Sequence, residues 1–188
     1  MDAALALFSS KGYESASVSE IVEEAKVGKP MVYYYFGSKE GLLKEIFRAN
    51  YELFNIRLKE AAEYIPRPQK YWEDVRPLLA RVANAYFEFA KSNPKFYALL
   101  LSVSFSPEMA SARRASAPHS SMQHEILAEM FMKISESHGN LRGKEMKISR
   151  YFYALINSAI GSWMIGQGEI GKEEAEDLVN QFMHGIYS

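Results

Sequence analysis

The sequence predicts an all-α protein of about nine helices. Apolar residues recur at helical spacing along most of the 188 residues, and no segment shows the sustained alternation typical of a strand. Proline and glycine interrupt this pattern at intervals, and a cluster of short helices is expected near the N-terminus. The length suits one or two domains with a sizeable core.

Two helices open the chain. The first is expected over residues 2–11, with Gly12 after its last turn. The second begins with a capping box, because Ser17 is followed three residues later by Glu20, and it extends to about Ala25.

A tight turn over residues 26–28 leads into a third helix, from Lys29 to about Tyr35. Gly28 is expected to allow the sharp change of direction, and Pro30 fits the first helical turn, where its missing N–H costs nothing. Val32 and Phe36 can face inward, which leaves a largely exposed side of Lys29, Met31, Tyr33, Tyr34 and Tyr35. An exposed lysine beside a run of tyrosines suits a helix laid against a DNA duplex.

The N-terminal quarter resembles the DNA-binding domain of the TetR family of transcriptional regulators. The matching stretches are DAALALFSSKGY, SVSEIVEEA, V-G-K-P and VYYYFGSKEGLL. The resemblance implies a helix-turn-helix domain over residues 1–46, a helical ligand-binding and dimerisation domain over residues 47–188, and no enzymatic activity. This chain has Gly28 and Met31 at two positions where family members more often have serine or threonine, and it has Tyr35 where they more often have histidine. They usually carry a longer, often basic N-terminus, so a lower DNA affinity is expected if that arm is missing or truncated.

The residues expected to contact DNA are Ser17, Lys29, Pro30, Met31, Tyr33, Tyr34, Tyr35 and Lys39. Lys29 can donate to guanine O6 and N7, although a phosphate contact alone is the alternative. Pro30, Met31 and Tyr34 offer apolar surface for thymine methyl groups. Lys39 is expected to contact a phosphate at the start of the fourth helix.

Net charge gives this interpretation little support. The whole chain carries a formal charge of −1, and its first fifty residues hold six basic and seven acidic side chains. The DNA-binding hypothesis therefore depends on local placement, because no acid lies between Lys26 and Lys39.

The remaining helices are separated by prolines and glycines. A fourth helix is expected to start after Ser38 and to continue to Ile65, where Pro66 and Pro68 end it. Further helices are expected over residues 72–91, 94–105, 144–165 and 172–187. Between the second and third of these, a helical segment is expected to start at Pro107, to be interrupted at Pro118 and to continue from there to residue 138.

The last two helices are expected to form a homodimer. Residues 151–165 are apolar on nearly all sides, and a helix of that kind needs partners on all sides. TetR-like proteins dimerise through such a pair as a four-helix bundle. An ordinary monomer core is the alternative.

No catalytic, cofactor or metal site is predicted. The chain has no cysteine, and its four histidines are scattered. Residues 166–171 read G-Q-G-E-I-G, but they follow a helix, whereas a dinucleotide fingerprint follows a strand. No signal peptide or membrane-spanning run is found, and a cytoplasmic protein is expected.

The middle helices are rich in methionine and aromatic residues, which the resemblance places around an effector pocket. The candidates are Tyr86, Phe89, Phe96, Met122, Met130, Phe152 and Asn157. The resulting hypothesis is a homodimeric repressor that a small apolar or amphipathic effector releases from a pseudo-palindromic double-stranded DNA operator. The alternative is an all-helical small-molecule-binding protein or enzyme whose DNA-binding domain no longer functions.

Overall fold

The computed structural model describes residues 1–67, 70–139 and 141–184, without the side chain of Glu108. This part of the chain is all helical, which confirms the predicted fold class. Its α-helices are α1 (Asp2–Lys11), α2 (Val18–Ala25), α3 (Lys29–Phe36), α4 (Lys39–Ala61), α5 (Tyr71–Ser92), α6 (Pro94–Phe105), α7 (Ala110–His138), α8 (Glu145–Met164) and α9 (Lys172–His184). A short 3-10 helix (Pro107–Met109) precedes α7. Among the helices described, none is long and apolar enough to cross a membrane.

Two predicted helix boundaries are wrong. Helix α4 ends at Ala61, whereas the sequence pattern extended it to Ile65, which lies 76% exposed outside the helix. Helix α7 continues through Pro118 without a break. Pro118 is exposed on α7, while Ala112, Ala115 and Ser116 in the same part of the helix are buried, so packing outweighs the single lost hydrogen bond.

Two further predictions concern residues outside the described ranges. Pro68, expected to help end the fourth helix, and residues 185–187, expected to complete the last one, both lie there.

Contacts divide the chain into two compact units. The first unit comprises residues 1–53 and 93–120, so it extends well beyond the DNA-binding domain predicted over residues 1–46. Helix α1 packs against α2 and α6 within it. The ring of Phe96 meets those of Phe47 and Tyr51 edge to face, each at a centroid distance of 5.2 Å. The functional boundary at residue 46 stays a prediction.

The second unit comprises residues 54–92 and 121–188 and is organised around α5, which packs against α8 and α9. Arg81 ends α4, because its guanidinium donates to the carbonyl oxygens of Ala61 at 2.8 Å and Glu63 at 2.6 Å. On the other side of α5, Arg76 pairs with Glu176 of α9 at 3.0 Å.

A buried polar network joins the start of α5 to the end of α7 in the second unit. The Oδ2 atom of Asp74 accepts hydrogen bonds from the Tyr64 hydroxyl at 2.6 Å and the Arg67 backbone N–H at 3.0 Å. It also lies 2.8 Å from the Nε2 atom of His138. The side chains of Asp74 and His138 are only 4% and 6% exposed, so both depend on this network for their polar contacts.

Candidate nucleic-acid interface

The predicted capping box at the start of α2 is confirmed. The Glu20 N–H donates to the Ser17 Oγ at 3.2 Å, and the Ser17 N–H donates to the Glu20 carboxylate at 2.9 Å. Lys11 of α1 also donates to that carboxylate at 2.7 Å. The hydrogen bond from Lys11 and those from Ser17 lower the pKa of Glu20 to about 2. Ser17 is exposed, so its hydroxyl hydrogen can still reach a phosphate, and the expected DNA contact stays a prediction.

The turn between α2 and α3 is made by a different residue from the one expected. Lys26 adopts the left-handed conformation, with φ 55° and ψ 43°, and is the non-glycine residue with positive φ among those described. Gly28 has φ −82° and ψ 146°, an extended conformation open to any residue, so its expected role in the turn is wrong. The Val27 N–H donates to the Val22 carbonyl at 3.0 Å, which closes the end of α2.

Helix α3 presents nearly its whole outer side to solvent. Only Val32 is buried, while Phe36 is half-buried and the rest of the helix is exposed. The exposed fractions of Tyr34 and Tyr35 reach 83% and 67%. Tyr35 packs edge to face on Tyr34 at 5.0 Å, so the two rings form one aromatic surface. The six DNA-contact candidates of α3, Lys29, Pro30, Met31, Tyr33, Tyr34 and Tyr35, thus lie together on exposed helix surface.

Five of the six basic side chains of residues 1–53 divide into two groups. Lys11, Lys44 and Arg48 each form an ion pair with a glutamate. Lys26 and Lys29 take part in none of the ion pairs of the described residues, and both are exposed beside the outer side of α3. Within residues 1–53, the two lysines without an acidic or carbonyl partner in the described part of the chain therefore lie at α3 and in the turn before it, although the net charge is not positive.

Lys39 has partners within the protein. Its ammonium donates to the carbonyl oxygens of Tyr13 at 2.9 Å, Glu14 at 3.3 Å and Ala16 at 3.1 Å. It also lies 4.4 Å from the centroid of the Tyr13 ring. Burial, with smaller contributions from Glu14 and Glu40, raises the pKa of Tyr13 to about 12, so this ring stays a neutral phenol. The lysine thus ties the loop after α1 to the start of α4, and its expected phosphate contact stays a prediction.

The effector-pocket candidates do not all lie in one unit. Phe96 packs in the first unit, whereas the second unit contains Tyr86, Phe89, Met122, Met130, Phe152 and Asn157. Met122 is 39% exposed, and the other five are buried. The structure also points to a residue that the sequence analysis did not select. Gln123 is only 1% exposed, and its side chain faces the Tyr86 hydroxyl at 3.5 Å.

The described residues contain no group of His, Cys, Asp or Glu able to hold a metal ion. What they do contain is a helix-turn-helix: a capped helix, a tight turn and a short exposed helix with unpaired lysines. This arrangement places the protein among helix-turn-helix proteins, whose second helix enters the major groove.

Comparison with known proteins identifies the family of the N-terminal region. Residues 1–46 match the family described as bacterial regulatory proteins, tetR family. This region is therefore of the TetR family, which confirms the resemblance drawn from the sequence.

Curated relatives agree over the N-terminal region. The uncharacterised HTH-type transcriptional regulator YuxN of Bacillus subtilis is 42% identical over 64 residues, which cover 31% of this chain and 22% of that protein. The A-factor receptor protein of Streptomyces griseus is 46% identical over 46 residues, which cover 24% of this chain and 17% of that protein. The chain thus spans about a fifth of the length of these two relatives. The HTH-type transcriptional activator FasR of Mycolicibacterium smegmatis is 23% identical over 188 residues, covering 97% of this chain and 78% of that protein.

Solved structures share the fold over nearly the whole chain. The fatty acid degradation regulator FadR of Bacillus halodurans superimposes with a TM-score of 0.80 at 17% identity, covering 99% of this chain and 93% of that one. The transcriptional regulator FadR of Bacillus subtilis, solved in complex with stearoyl-CoA, gives 0.77 at 17% identity, with coverages of 99% and 97%. At these identities the likeness concerns the fold alone.

Proposed function

We propose that this chain is a homodimeric, effector-responsive repressor that binds a pseudo-palindromic operator in the cytoplasm, with residues 1–46 as its DNA-binding domain. One observation carries the proposal. The exposed side of α3 combines an aromatic surface with Lys29, and Lys26 is exposed in the turn that precedes the helix; no acid of the described residues neutralises either lysine. An exposed surface of this kind suits a DNA major groove, where amines reach phosphates or guanine and apolar groups reach thymine methyls.

Within this interface, Lys29 is assigned to base reading. It lies at the first position of α3, and the N-terminal residues of a recognition helix contact base edges. Replacement of Lys29 by alanine is expected to weaken operator binding by roughly 1–3 kcal/mol per contact and to relax preference at one base pair per half-site.

The assay is a gel shift with the intergenic fragment beside the protein's own gene, followed by a panel of operators with symmetric single-pair changes. If Lys29→Ala weakens binding evenly across the panel, the lysine contacts only phosphate. If the wild-type protein gives no salt-dependent shift on any fragment, the alternative of a non-functional DNA-binding domain holds.

The homodimer is assigned to the outer sides of α8 and α9. Tyr151, Leu155 and Phe182 line a shallow apolar surface together with the small residues Ala154 and Ser158. Tyr151 and Leu155 are 51% and 42% exposed, and large apolar side chains grouped in this way are typical of an interface. Light scattering of wild type and of Ala154→Arg tests this, with a dimer and a monomer as the expected results. A wild-type monomer at micromolar concentration would contradict the assignment.

The effector is assigned to the second unit, and an amphipathic molecule with a long apolar part is the class we favour. The support is the stearoyl-CoA bound by the structurally similar FadR of Bacillus subtilis. The effector would stabilise an arrangement of the two DNA-binding domains that cannot bind the operator, with the coupling carried along α4. Addition of stearoyl-CoA to the operator complex should release DNA. A reporter whose transcription falls when the gene is deleted would instead indicate an activator, as FasR is named.

A further inference from the structure

We infer that the side-chain amide of Gln123 is a polar contact of the effector site and that it binds an uncharged hydrogen-bond acceptor on the apolar part of the ligand. The acceptor would be the oxygen of a carbonyl, ester, ether or hydroxyl group. This inference depends on the proposed effector-binding function, and it names the chemistry that the site recognises.

The inference starts from an unpaired donor. Gln123 is 99% buried, and its Nε2 atom has no hydrogen-bond partner among the described residues. The Oε1 atom of the same amide receives only a long contact of 3.5 Å from the Tyr86 hydroxyl. Buried polar groups are nearly always paired, because an unpaired one loses its hydration without compensation. A ligand that places a hydrogen-bond acceptor beside the Gln123 Nε2 atom would supply the missing partner.

The surroundings of Gln123 form one cluster drawn from several helices of the second unit. The Tyr86 ring of α5 lies 6.0 Å from the Tyr153 ring of α8 and 5.0 Å from the Phe54 ring of α4. The imidazole of His124, next to Gln123 on α7, packs on Tyr153 at 4.6 Å. The amide is therefore bordered by aromatic rings, which would contact the apolar body of a ligand.

Tyr153 and His124, the two members of this cluster whose pKa values are shifted, are neutral at pH 7. Burial raises the pKa of Tyr153 to about 12, and the hydrogen bond from Asn157 offsets this only in part. Partial burial of its ring, helped by the Arg150 charge, lowers the pKa of His124. Because the cluster offers no buried cation, a carboxylate or phosphate placed at Gln123 would lose its hydration without a counter-charge. An uncharged acceptor avoids that cost.

The test uses four ten-carbon probes that differ only at one end: decane, methyl decanoate, 1-decanol and decanoate. Binding to the full-length protein is measured by titration calorimetry and by the shift of the melting temperature. Methyl decanoate and 1-decanol are expected to bind at least tenfold more tightly than decane and than decanoate. In Gln123→Met, which keeps the length of the side chain, the preference of both neutral polar probes over decane should disappear.

The ligand-free stability of the variant separates a binding role from a structural one. Gln123→Met removes an unpaired buried amide, so its melting temperature without ligand should rise above that of wild type. Gln167→Met, the same change at an exposed loop position, is the matched control and should alter neither stability nor preference.

Three results would overturn the inference. A lower melting temperature of ligand-free Gln123→Met would show that the protein itself satisfies the amide. Equal binding of decane and methyl decanoate to wild type would refute the role of Gln123 and leave the proposed effector site intact. If none of the four probes binds, decane included, the apolar effector site fails together with the inference.

Discussion

Replacement of Lys39 by methionine tests what this lysine does in the DNA-binding domain. The change removes the ammonium and keeps the length and apolar character of the side chain. Three hydrogen bonds are lost, to the carbonyls of Tyr13, Glu14 and Ala16, together with the contact over the Tyr13 ring. Hydrogen bonds from a charged donor contribute about 1.5–3 kcal/mol each when well shielded.

The expected loss of stability is smaller than the sum of these contacts. Lys39 is only half-buried, and water can replace the ammonium at the exposed Glu14 carbonyl. We therefore expect Lys39→Met to lower the free energy of unfolding by about 2–4 kcal/mol, with the cation–π contact supplying roughly 0.5–1 kcal/mol of it. Operator affinity should fall as well, because the lysine fixes the loop after α1 against the start of α4, next to the recognition helix.

Urea denaturation and the salt dependence of operator binding give two independent measurements. If Lys39 positions the domain, stability falls and the slope of log K against log salt stays at the wild-type value. Lys44→Met is the matched control on the same helix. Its ammonium pairs with Glu40 at 2.7 Å on an exposed surface, so the cost should be about 0.3–0.5 kcal/mol.

A variant Lys39→Met with wild-type stability and a salt slope reduced by about one unit per subunit would refute this reasoning. The lysine would then contact a DNA phosphate, as the sequence alone suggested.

Two further predictions concern the turn and the buried network. Lys26→Gly should raise the free energy of unfolding by about 0.5–1 kcal/mol, because glycine adopts the left-handed conformation without strain. The same change should lower the slope of log K against log salt for operator binding by about one unit per subunit, and an unchanged slope would exclude a phosphate contact. Asp74→Asn should cost about 3–5 kcal/mol at pH 7, because it leaves buried partners mismatched. Burial alone would raise the pKa of Asp74, but hydrogen bonds from Tyr64, Arg67 and His138 outweigh it and lower the pKa, so its stabilisation is complete above the unfolded-state pKa. It is lost as pH falls through the folded-state value, and the difference between variant and wild type in urea should shrink below about pH 4.

Features set by a few neighbouring residues could be predicted from the sequence. The capping box needs only Ser17 and Glu20 at the right spacing, and the position of Pro30 in the first turn of α3 follows from its missing N–H. The helix break that the sequence predicts at Pro118 was wrong because it depends on tertiary packing. The buried residues in the same part of α7 keep the helix continuous.

The turn before α3 and the Gln123 amide show two other limits of sequence reasoning. Glycine is the residue expected where a chain changes direction sharply, so the sequence favours Gly28 in the turn, and only the backbone angles show that Lys26 is the left-handed residue. Gln123 was missed because a polar residue in a helical pattern usually faces solvent. That its Nε2 atom is buried without a partner depends on α5, α7 and α8 together, and no spacing along the chain contains that information.

The weak overall charge of the protein becomes intelligible once each cation is placed. Glu20, Glu40 and Glu45 form ion pairs with Lys11, Lys44 and Arg48. The negative charge of each glutamate offsets the attraction of its basic partner to a DNA phosphate. Among the basic side chains of residues 1–53, Lys26 and Lys29 are the two without an ion pair or a hydrogen bond to the described part of the protein. Lys26 lies in the turn before α3, and Lys29 is the first residue of α3. With so few cations available, we expect the electrostatic share of the proposed operator binding to be modest. Under that proposal, discrimination between sequences would come from Lys29 together with the exposed tyrosines and Met31, whose apolar surfaces suit thymine methyl groups.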